Sequence, residues 1–272
     1  MDISSIFVKI KEYLQYSIDN DDYELETILT SKINEDTFKR IFNFLVNEFE
    51  QITENNNETL DIRIVSSKKF EKYRLTIDDK SNILRYCKTN QVEKNQLKYG
   101  EKKRLAKYPP IISDNYPFRM NLKVDTELND SEKIEEIYKT LKNAKKYFRH
   151  KKRFSFLSKS KLFKVDITIV KSSSKNSKNL VGSGLLKNVM DYEIEVEFLN
   201  KDLNDNINLD KLINELFNIV GNMLLISENT NYLMTLPEKD DVKKSYIQLA
   251  FDMDKKKAEN FVIKNPKHHF IG

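Results

Sequence analysis

The sequence predicts an α+β protein built on a closed antiparallel β-barrel of about eight strands with flanking α-helices. Eight short runs alternate apolar and polar residues, which is the period-two pattern of a strand with two different faces. Most of these runs are joined by turn-forming segments such as the Asp-Asp-Lys-Ser-Asn stretch at 78–82. Eight antiparallel strands suffice to close a barrel around an interior filled by side chains or a ligand.

The strand assignments follow the chain in order. The predicted strands cover residues 23–29, 60–65, 73–78, 83–89, 118–127, 153–157, 162–170 and 191–199. Residues 90–114 are predicted as either a further strand or a long loop. The run at 171–179, which is rich in serine, lysine and asparagine, is predicted as a solvated loop.

The helices are predicted from apolar residues at helical spacing. They cover residues 1–18, a segment capped by Asn34 that carries apolar positions from 38 to 49, and residues 131–145, 212–224 and 240–251. We expect the first helix to pack on the outside of the barrel.

Composition sets broad limits on the class of protein. The 272 residues include 47 Lys and Arg against 42 Asp and Glu, and this mild excess of +5 would attract a polyanion. The single cysteine, Cys87, excludes an intrachain disulfide and fits a reducing compartment. No apolar run approaches the roughly 20 residues that cross a bilayer, so we expect a cytoplasmic protein that does not bind membranes.

Acidic residues alternate with apolar ones on the first and last predicted strands. Glu193, Glu195 and Glu197 share one face of the last strand, and Glu24 and Glu26 repeat the pattern on the first. Neighbouring carboxylates on one face lie roughly 6.6 Å apart and repel each other unless a cation lies between them. Two such rows facing each other would form a hard-oxygen site suited to magnesium or manganese. The simpler interpretation is a strand with one wet face.

Basic residues alternate on the other strands with the same regularity. They occur in the patterns Arg149-x-Lys151-x-Arg153, Tyr73-Arg74-Leu75-Thr76, Lys164-x-Asp166-x-Thr168 and Arg119-x-Asn121-x-Lys123-x-Asp125-x-Glu127. If these faces turn inward, the barrel encloses charges of both signs. An apolar core does not tolerate such an interior, but a phosphate-and-metal site requires one.

Four of these motifs, in this order, resemble those of the metal-dependent RNA triphosphatases of fungi, protozoa and large DNA viruses, which belong to the triphosphate tunnel metalloenzymes. The motifs are Glu24-x-Glu26, Lys151-x-Arg153 followed by aromatic-Ser155-aromatic, Lys164-x-Asp166-x-Thr168 and Glu193-x-Glu195-x-Glu197. The resemblance covers residues 23–199 and is most like the triphosphatase domain of a giant-virus mRNA capping enzyme.

The resemblance implies a role for each matched residue. Glu24, Glu26 and Glu197 would hold Mg²⁺ or Mn²⁺ directly, Glu195 and Asp166 would reach it through waters, and Glu193 would complete the acidic strand. Arg74, Lys151 and Arg153 would grip the γ-phosphate, with Lys88 and Lys164 in support. Either Asp125 or Glu127 would orient the attacking water. Lysine stands at 164 where the fungal enzymes have arginine, so a bidentate contact there becomes a point charge.

The implied substrate is RNA with a 5′-triphosphate end, cleaved in the first step of mRNA capping, with nucleoside triphosphates as further substrates. Residues 1–260 would form the triphosphatase domain and 261–272 the start of a linker. Covalently linked guanylyltransferase and methyltransferase domains are the expected partners. The expected location is the host cytoplasm or a viral factory, with the virion as a further alternative.

Two alternative functions remain at this point. A tripolyphosphatase or thiamine triphosphatase of the same superfamily would continue the first acidic pair into Glu-x-Glu-x-Lys, whereas Ile28 follows Thr27 here. A non-catalytic RNA-binding barrel would use the same charges for backbone contacts only. The histidines, His150, His268 and His269, are too scattered for a zinc site. Cys87 is interpreted as a residue of the barrel wall.

Overall fold

The computed structural model describes residues 3–20, 22–52, 57–65, 68–105, 107–199 and 208–251. The strands in this part of the chain are β1 (Tyr23–Leu29), β2 (Glu50–Gln51), β3 (Glu58–Ile64), β4 (Tyr73–Ile77), β5 (Lys98–Arg104), β6 (Ile111–Ile112), β7 (Phe118–Glu127), β8 (Lys146–Leu157), β9 (Phe163–Ser172) and β10 (Met190–Phe198). The helices are α1 (Ile3–Ile18), α2 (Glu35–Glu48), α3 (Lys80–Thr89), α4 (Ser131–Leu141), α5 (Leu209–Glu228) and α6 (Leu236–Phe251).

Eight of the strands form a closed antiparallel ring. The strand order is β1-β10-β9-β8-β3-β4-β5-β7, and β1 also pairs with β7 along its whole length, from Tyr23 opposite Val124 to Leu29 opposite Phe118. The short strands β2 and β6 lie beside the ring, on β8 and β7. The α+β barrel expected from the sequence is therefore confirmed.

One predicted strand is wrong. Residues 83–89 belong to α3, and β5 takes the place of the eighth strand in the ring. The helix begins where the side chain of Asp79 accepts a hydrogen bond from the backbone N–H of Asn82, and it ends at Asn90 in the left-handed conformation. Its buried residues, Ile83 and Tyr86, are three positions apart, which is a helical period and not a strand period.

The apolar core lies outside the ring in two clusters. One cluster joins α1, α2 and α5 to the outer faces of β1, β7, β9 and β10, and it includes Leu25, Met120 and Val196. The other joins α3 and α4 to the outer faces of β3, β4, β5 and β8, and it includes Leu75 and Phe148. Because successive residues of a strand point to opposite faces, the polar alternate positions of the ring face its interior.

The other helices match their predicted positions, and Asn34 caps α2 by accepting from the backbone N–H of Thr37 at 2.8 Å. The run at 171–179 is more ordered than expected: β9 extends to Ser172, and Ser177 forms a bridge with Lys146. Within the residues described, no helix has the length and apolar character needed to span a membrane. The predicted linker at 261–272 and the pair His268 and His269 lie outside them.

Candidate active site

The interior of the ring carries the charged motifs found in the sequence. Strand register shows which residues share it, since partners on neighbouring strands lie side by side on the same face. The interior positions include Glu24 and Glu26 on β1, Asp61 on β3, Arg74 and Thr76 on β4, Lys123 on β7, Arg149, Lys151, Arg153 and Ser155 on β8, Lys164, Asp166 and Thr168 on β9, and Glu193, Glu195 and Glu197 on β10.

The two glutamate rows meet where β1 joins β10. Glu26 is the register partner of Glu197, and Glu195 lies one step along, opposite Asp166 on β9. The sequence analysis expected two rows that face each other, but they lie side by side on neighbouring strands and form one acidic wall.

Lysines neutralise this acidic wall in the structure. Lys123 Nζ lies 2.8 Å from Glu26 Oε1 and 3.4 Å from Glu24 Oε2, and Lys164 Nζ lies 2.7 Å from Glu197 Oε2. Burial lowers the pKa of Lys123 but the carboxylates of Glu26 and Glu24 outweigh it, so the net change is upward. Burial likewise lowers the pKa of Lys164, but the carboxylates of Asp166 and Glu197 outweigh it and the net change is again upward. Both lysines are therefore held as cations.

Asp166 connects the acidic wall to the basic strand β8. Its side chain is only 3% exposed. One carboxylate oxygen accepts a hydrogen bond from Ser155 Oγ at 2.6 Å, and the other accepts from Arg153 at 3.0 Å and lies 3.6 Å from Lys164 Nζ. The second terminal nitrogen of Arg153 is 3.7 Å from Glu195. Arg153 is thus held between two carboxylates.

The rest of β8 continues the basic row. Lys151 forms an ion pair with Asp61, and Arg149 forms one with Glu193. The hydroxyl of Thr76 donates to Asp61 at 2.9 Å. Burial raises the pKa of Asp61, but the charges of Lys151 and Arg74 outweigh it and bring the pKa below its ordinary value. Asp61 is therefore a buried anion that positions Lys151.

Two observations show that the ion pairs and hydrogen bonds inside the ring do not satisfy all of its polar groups. Burial, and next the charge of Glu26, raise the pKa of Glu195, because carboxylates crowd this wall. The hydroxyl of Thr168, which is 1% exposed, has no hydrogen-bond partner among the described residues. A buried hydroxyl without a partner costs about 1–3 kcal/mol, so this position favours a polar ligand or water.

The donor set at the acidic wall fits a divalent cation. Carboxylate oxygens are the ligands that Mg²⁺ and Mn²⁺ prefer, and neighbouring strands supply several of them here. Within the described ranges no three acidic, histidine or cysteine groups already stand in a metal-binding arrangement. The carboxylates of Glu24, Glu26 and Glu197 are paired with lysines instead, so a metal ion and the ammonium groups are alternative neutralising charges for the same oxygens.

The structure brings most of the predicted site residues together and corrects one. Lys88 was expected among the phosphate-binding residues, but it is exposed on α3, outside the barrel. Cys87 is likewise a helix residue and not part of the barrel wall. Asp125 and Glu127 lie on β7, opposite Lys102 and Gly100, and Glu127 is exposed at the end of the strand. Sequence analysis missed Asp61, whose alternation with Leu60 and Ile62 was the available signal.

An eight-stranded antiparallel ring whose interior carries an acidic wall and a basic row is a tunnel lined by charges of both signs. Residues 10–230 match the mRNA triphosphatase family, described as mRNA capping enzyme, beta chain. The match spans most of the chain, which therefore belongs to this family and is an RNA 5′-triphosphatase of mRNA capping. The non-catalytic alternative is thereby set aside.

Solved structures of a mimivirus protein have a similar fold. The RNA triphosphatase domain of a trifunctional mimivirus mRNA capping enzyme superposes with a TM-score of 0.57 at 23% identity, covering 80% of this chain and 96% of that chain. A monoclinic form of the mimivirus capping enzyme triphosphatase gives 0.55 at 21% identity, with 81% and 98% covered. At these identities the likeness concerns the fold alone. No match is found among curated proteins.

Proposed function

We propose that this chain removes the γ-phosphate from 5′-triphosphate RNA with the help of Mg²⁺ or Mn²⁺ held at the acidic wall of the barrel interior. The observation that carries the proposal is the contact of an acidic and a basic row inside one closed ring, where Arg153 lies between Asp166 and Glu195. A triphosphate and a divalent cation together supply the complementary charges for these two rows.

The basic row accounts for substrate binding. A γ-phosphoryl group in transfer spreads negative charge over its oxygens, so catalysis depends on cations fixed around it. Arg149, Lys151 and Arg153 alternate on the interior face of β8 and stand roughly 6.6 Å apart. Each is already held by a carboxylate. Lysine and arginine each carry several N–H donors, so the substrate phosphates bind to these cations while the carboxylates hold them in position.

The acidic wall accounts for the metal. Glu24, Glu26 and Glu197 would contact the cation, with Glu195 and Asp166 reaching it through waters. When bound, the cation supplies positive charge beside the transferring phosphate. The side chains of Lys123 and Lys164 are then free to turn toward phosphate oxygens, so the lysines that neutralise the acidic wall become part of the substrate site.

The residue that orients the attacking water is assigned from backbone position. Glu127 ends β7 and is exposed, whereas Asp125 lies two residues closer to Lys123, which contacts Glu26. This placement favours Asp125 over Glu127 as the group that accepts the proton of the water.

The direct experiment is the release of labelled phosphate from RNA that carries a γ-labelled 5′-triphosphate. We expect release with Mg²⁺ or Mn²⁺ and none with a chelator. A parallel reaction with inorganic tripolyphosphate separates this activity from that of a tripolyphosphatase. Failure to release phosphate from RNA with either metal would rule out the proposed reaction.

Further parts of the proposal concern substrates and context. The same interior would accept nucleoside triphosphates, because the groups that bind phosphate do not depend on the RNA chain. Linked guanylyltransferase and methyltransferase domains and a cytoplasmic location, in the host cytoplasm or a viral factory, belong to the proposal as well. The proposal of linked domains is supported by the likeness to a domain of a trifunctional capping enzyme.

A further inference from the structure

A cavity of about 590 Å³ lies outside the barrel, on the side of the ring covered by α3 and α4. We call it the outer cavity. Its walls come from the C-terminal half of α3, the loop at 90–93, α4 and the first residue of β8. None of these lining residues belongs to the charged interior of the ring. The volume is within the range of small-molecule sites.

Tyr86 gives the first sign that the outer cavity binds a ligand. The residue lines the cavity, is 1% exposed, and its hydroxyl has no hydrogen-bond partner among the described residues. Its ring is fixed by packing against Phe148, with centroids 6.2 Å apart. A hydroxyl held in place without a partner costs about 1–3 kcal/mol, so phenylalanine would serve better if packing were the only role.

Asn90 adds a second group without a partner. Its backbone N–H caps α3 at Tyr86 and its side-chain N–H group donates to the carbonyl of Lys178 at 3.4 Å. Both the backbone and the side chain of Asn90 are therefore fixed in position. Its side-chain oxygen is nevertheless buried and accepts no hydrogen bond within the described part of the chain. This oxygen can therefore accept a hydrogen bond from a ligand.

Lys146 supplies the charge. It is 1% exposed, and its ammonium group donates to the carbonyl of Leu141 at 3.0 Å, which uses one of three N–H bonds. No carboxylate pairs with it among the described residues, and burial lowers its pKa to about 8. Buried lysines are normally paired, so an acceptor with negative charge is the missing partner.

The edge of the outer cavity is also basic. Arg85 is paired with Glu93 at 3.0 Å and Lys139 with Glu135 at 3.6 Å, whereas Lys142 adds a positive charge with no carboxylate partner in the described residues. With Lys146, the lining carries more positive than negative charge. This balance favours an anion over a metal cation.

We propose that the outer cavity binds a small organic anion whose carboxylate or phosphate group accepts hydrogen bonds from Lys146 Nζ and the Tyr86 hydroxyl. A hydroxyl or amine elsewhere on the same molecule donates to the side-chain oxygen of Asn90. Apolar walls from Val92 and Leu141 contact its carbon skeleton. The outer cavity is separate from the tunnel, and this proposal does not depend on the function proposed for the tunnel.

The test uses two probes with this chemistry, malate and glycerol 3-phosphate, which distinguish a carboxylate from a phosphate ligand. The full chain carries Arg153→Ala so that phosphate binding in the tunnel is weakened. Isothermal titration calorimetry is expected to show saturable binding of one probe at one site. Tyr86→Phe should weaken it about tenfold, since one hydrogen bond to a charged group is lost.

The matched control is Tyr99→Phe, which removes the hydroxyl of a buried tyrosine in the same outer core that does not line the cavity. It should leave the affinity unchanged. Thermal unfolding without probe gives a second readout: Tyr86→Phe should not lower the midpoint, because the hydroxyl has no partner to lose. If neither probe binds, or if binding is the same in Tyr86→Phe and Lys146→Gln as in their parent, the proposal is overturned.

Discussion

Glu26 and Glu197 are register partners on neighbouring strands, although they come from the first and last strands of the ring. The pairing of β1 with both β7 and β10 places them there. The chemistry of the interior depends on this closure, because either glutamate row alone is a strand with one polar face. Together they form an acidic wall, which Asp166 on β9 connects to the cations of β8.

Arg153, on the basic strand β8, contacts both Asp166 and Glu195. Its loss should affect catalysis more than folding. We expect Arg153→Ala to lower kcat/KM for triphosphate RNA about 10²- to 10³-fold, since one fixed cation near the transferring phosphate is lost. Arg153→Lys should recover part of the loss, because a point charge replaces a two-nitrogen contact. Steady-state kinetics measures both. Arg40→Ala, on the exposed side of α2, is the control, and an activity of Arg153→Ala within twofold of the parent would contradict the assignment.

Lys88 lies outside the barrel and Lys151 lies inside it, so variants of the two lysines test whether activity depends on the interior. Lys88→Ala should retain full activity because this residue is exposed on α3. Lys151→Ala should lose most activity, since its side chain is 12% exposed and lies in the basic row. The same phosphate-release assay compares the two variants. A loss of activity in Lys88→Ala would show that α3 takes part in substrate binding.

Asp61 should make stability depend on pH in a defined direction. Its pKa in the folded protein lies below the ordinary value of 3.8, so its contribution is complete above that value and disappears as the pH falls through the folded pKa. We expect Asp61→Asn to lower the free energy of unfolding by about 3 kcal/mol at neutral pH, because Lys151 loses its buried partner.

Urea denaturation of parent and Asp61→Asn at several pH values tests this dependence. The difference between them should be constant from pH 7 to about 5 and shrink below about pH 4. Asp191→Asn, an exposed position on β10, provides the comparison. A difference that stays the same at acid pH would show that Asp61 acts through packing and not through its charge.

Lys123 should compete with the metal for the same carboxylates. Lys123→Met removes one ammonium group that contacts Glu24 and Glu26, so the metal-free protein should be less stable and Mn²⁺ should stabilise it more than it stabilises the parent. The shift of the thermal midpoint on addition of Mn²⁺ measures this. Lys152→Met, on the exposed face of β8, should behave as the parent does. An unchanged shift in Lys123→Met would place the metal elsewhere.

Sequence periodicity was sufficient for most of the fold. Alternation located seven of the eight ring strands, and the capping residue Asn34 located the start of α2. The error at 83–89 has a physical reason. The segment is too short for periodicity alone to separate a strand from a helix, and the side chain of Asp79, interpreted as part of a turn, is the helix cap.

The site was less accessible to sequence analysis than the fold. Charged residues at every second position are visible in the sequence itself, so the glutamates of β1 and β10 and the cations of β8 were found directly. Asp61 was missed because a single acid between Leu60 and Ile62 is typical of any strand with one wet face, and only the ring brings it next to Lys151. The pairing of each cation with a carboxylate likewise depends on register, which the sequence does not specify.

Binding of Mn²⁺ to the parent, Glu26→Gln, Glu197→Gln and the double variant, measured from the electron paramagnetic resonance signal of free Mn²⁺, tests the central claim most directly. Glu58→Gln, on the outer face of β3, is the control. If the two rows share one cation, each single change should weaken binding at least about tenfold, the double change should weaken it less than the product of the two, and phosphate release should fall in parallel. Unchanged Mn²⁺ binding in the double variant would contradict the account.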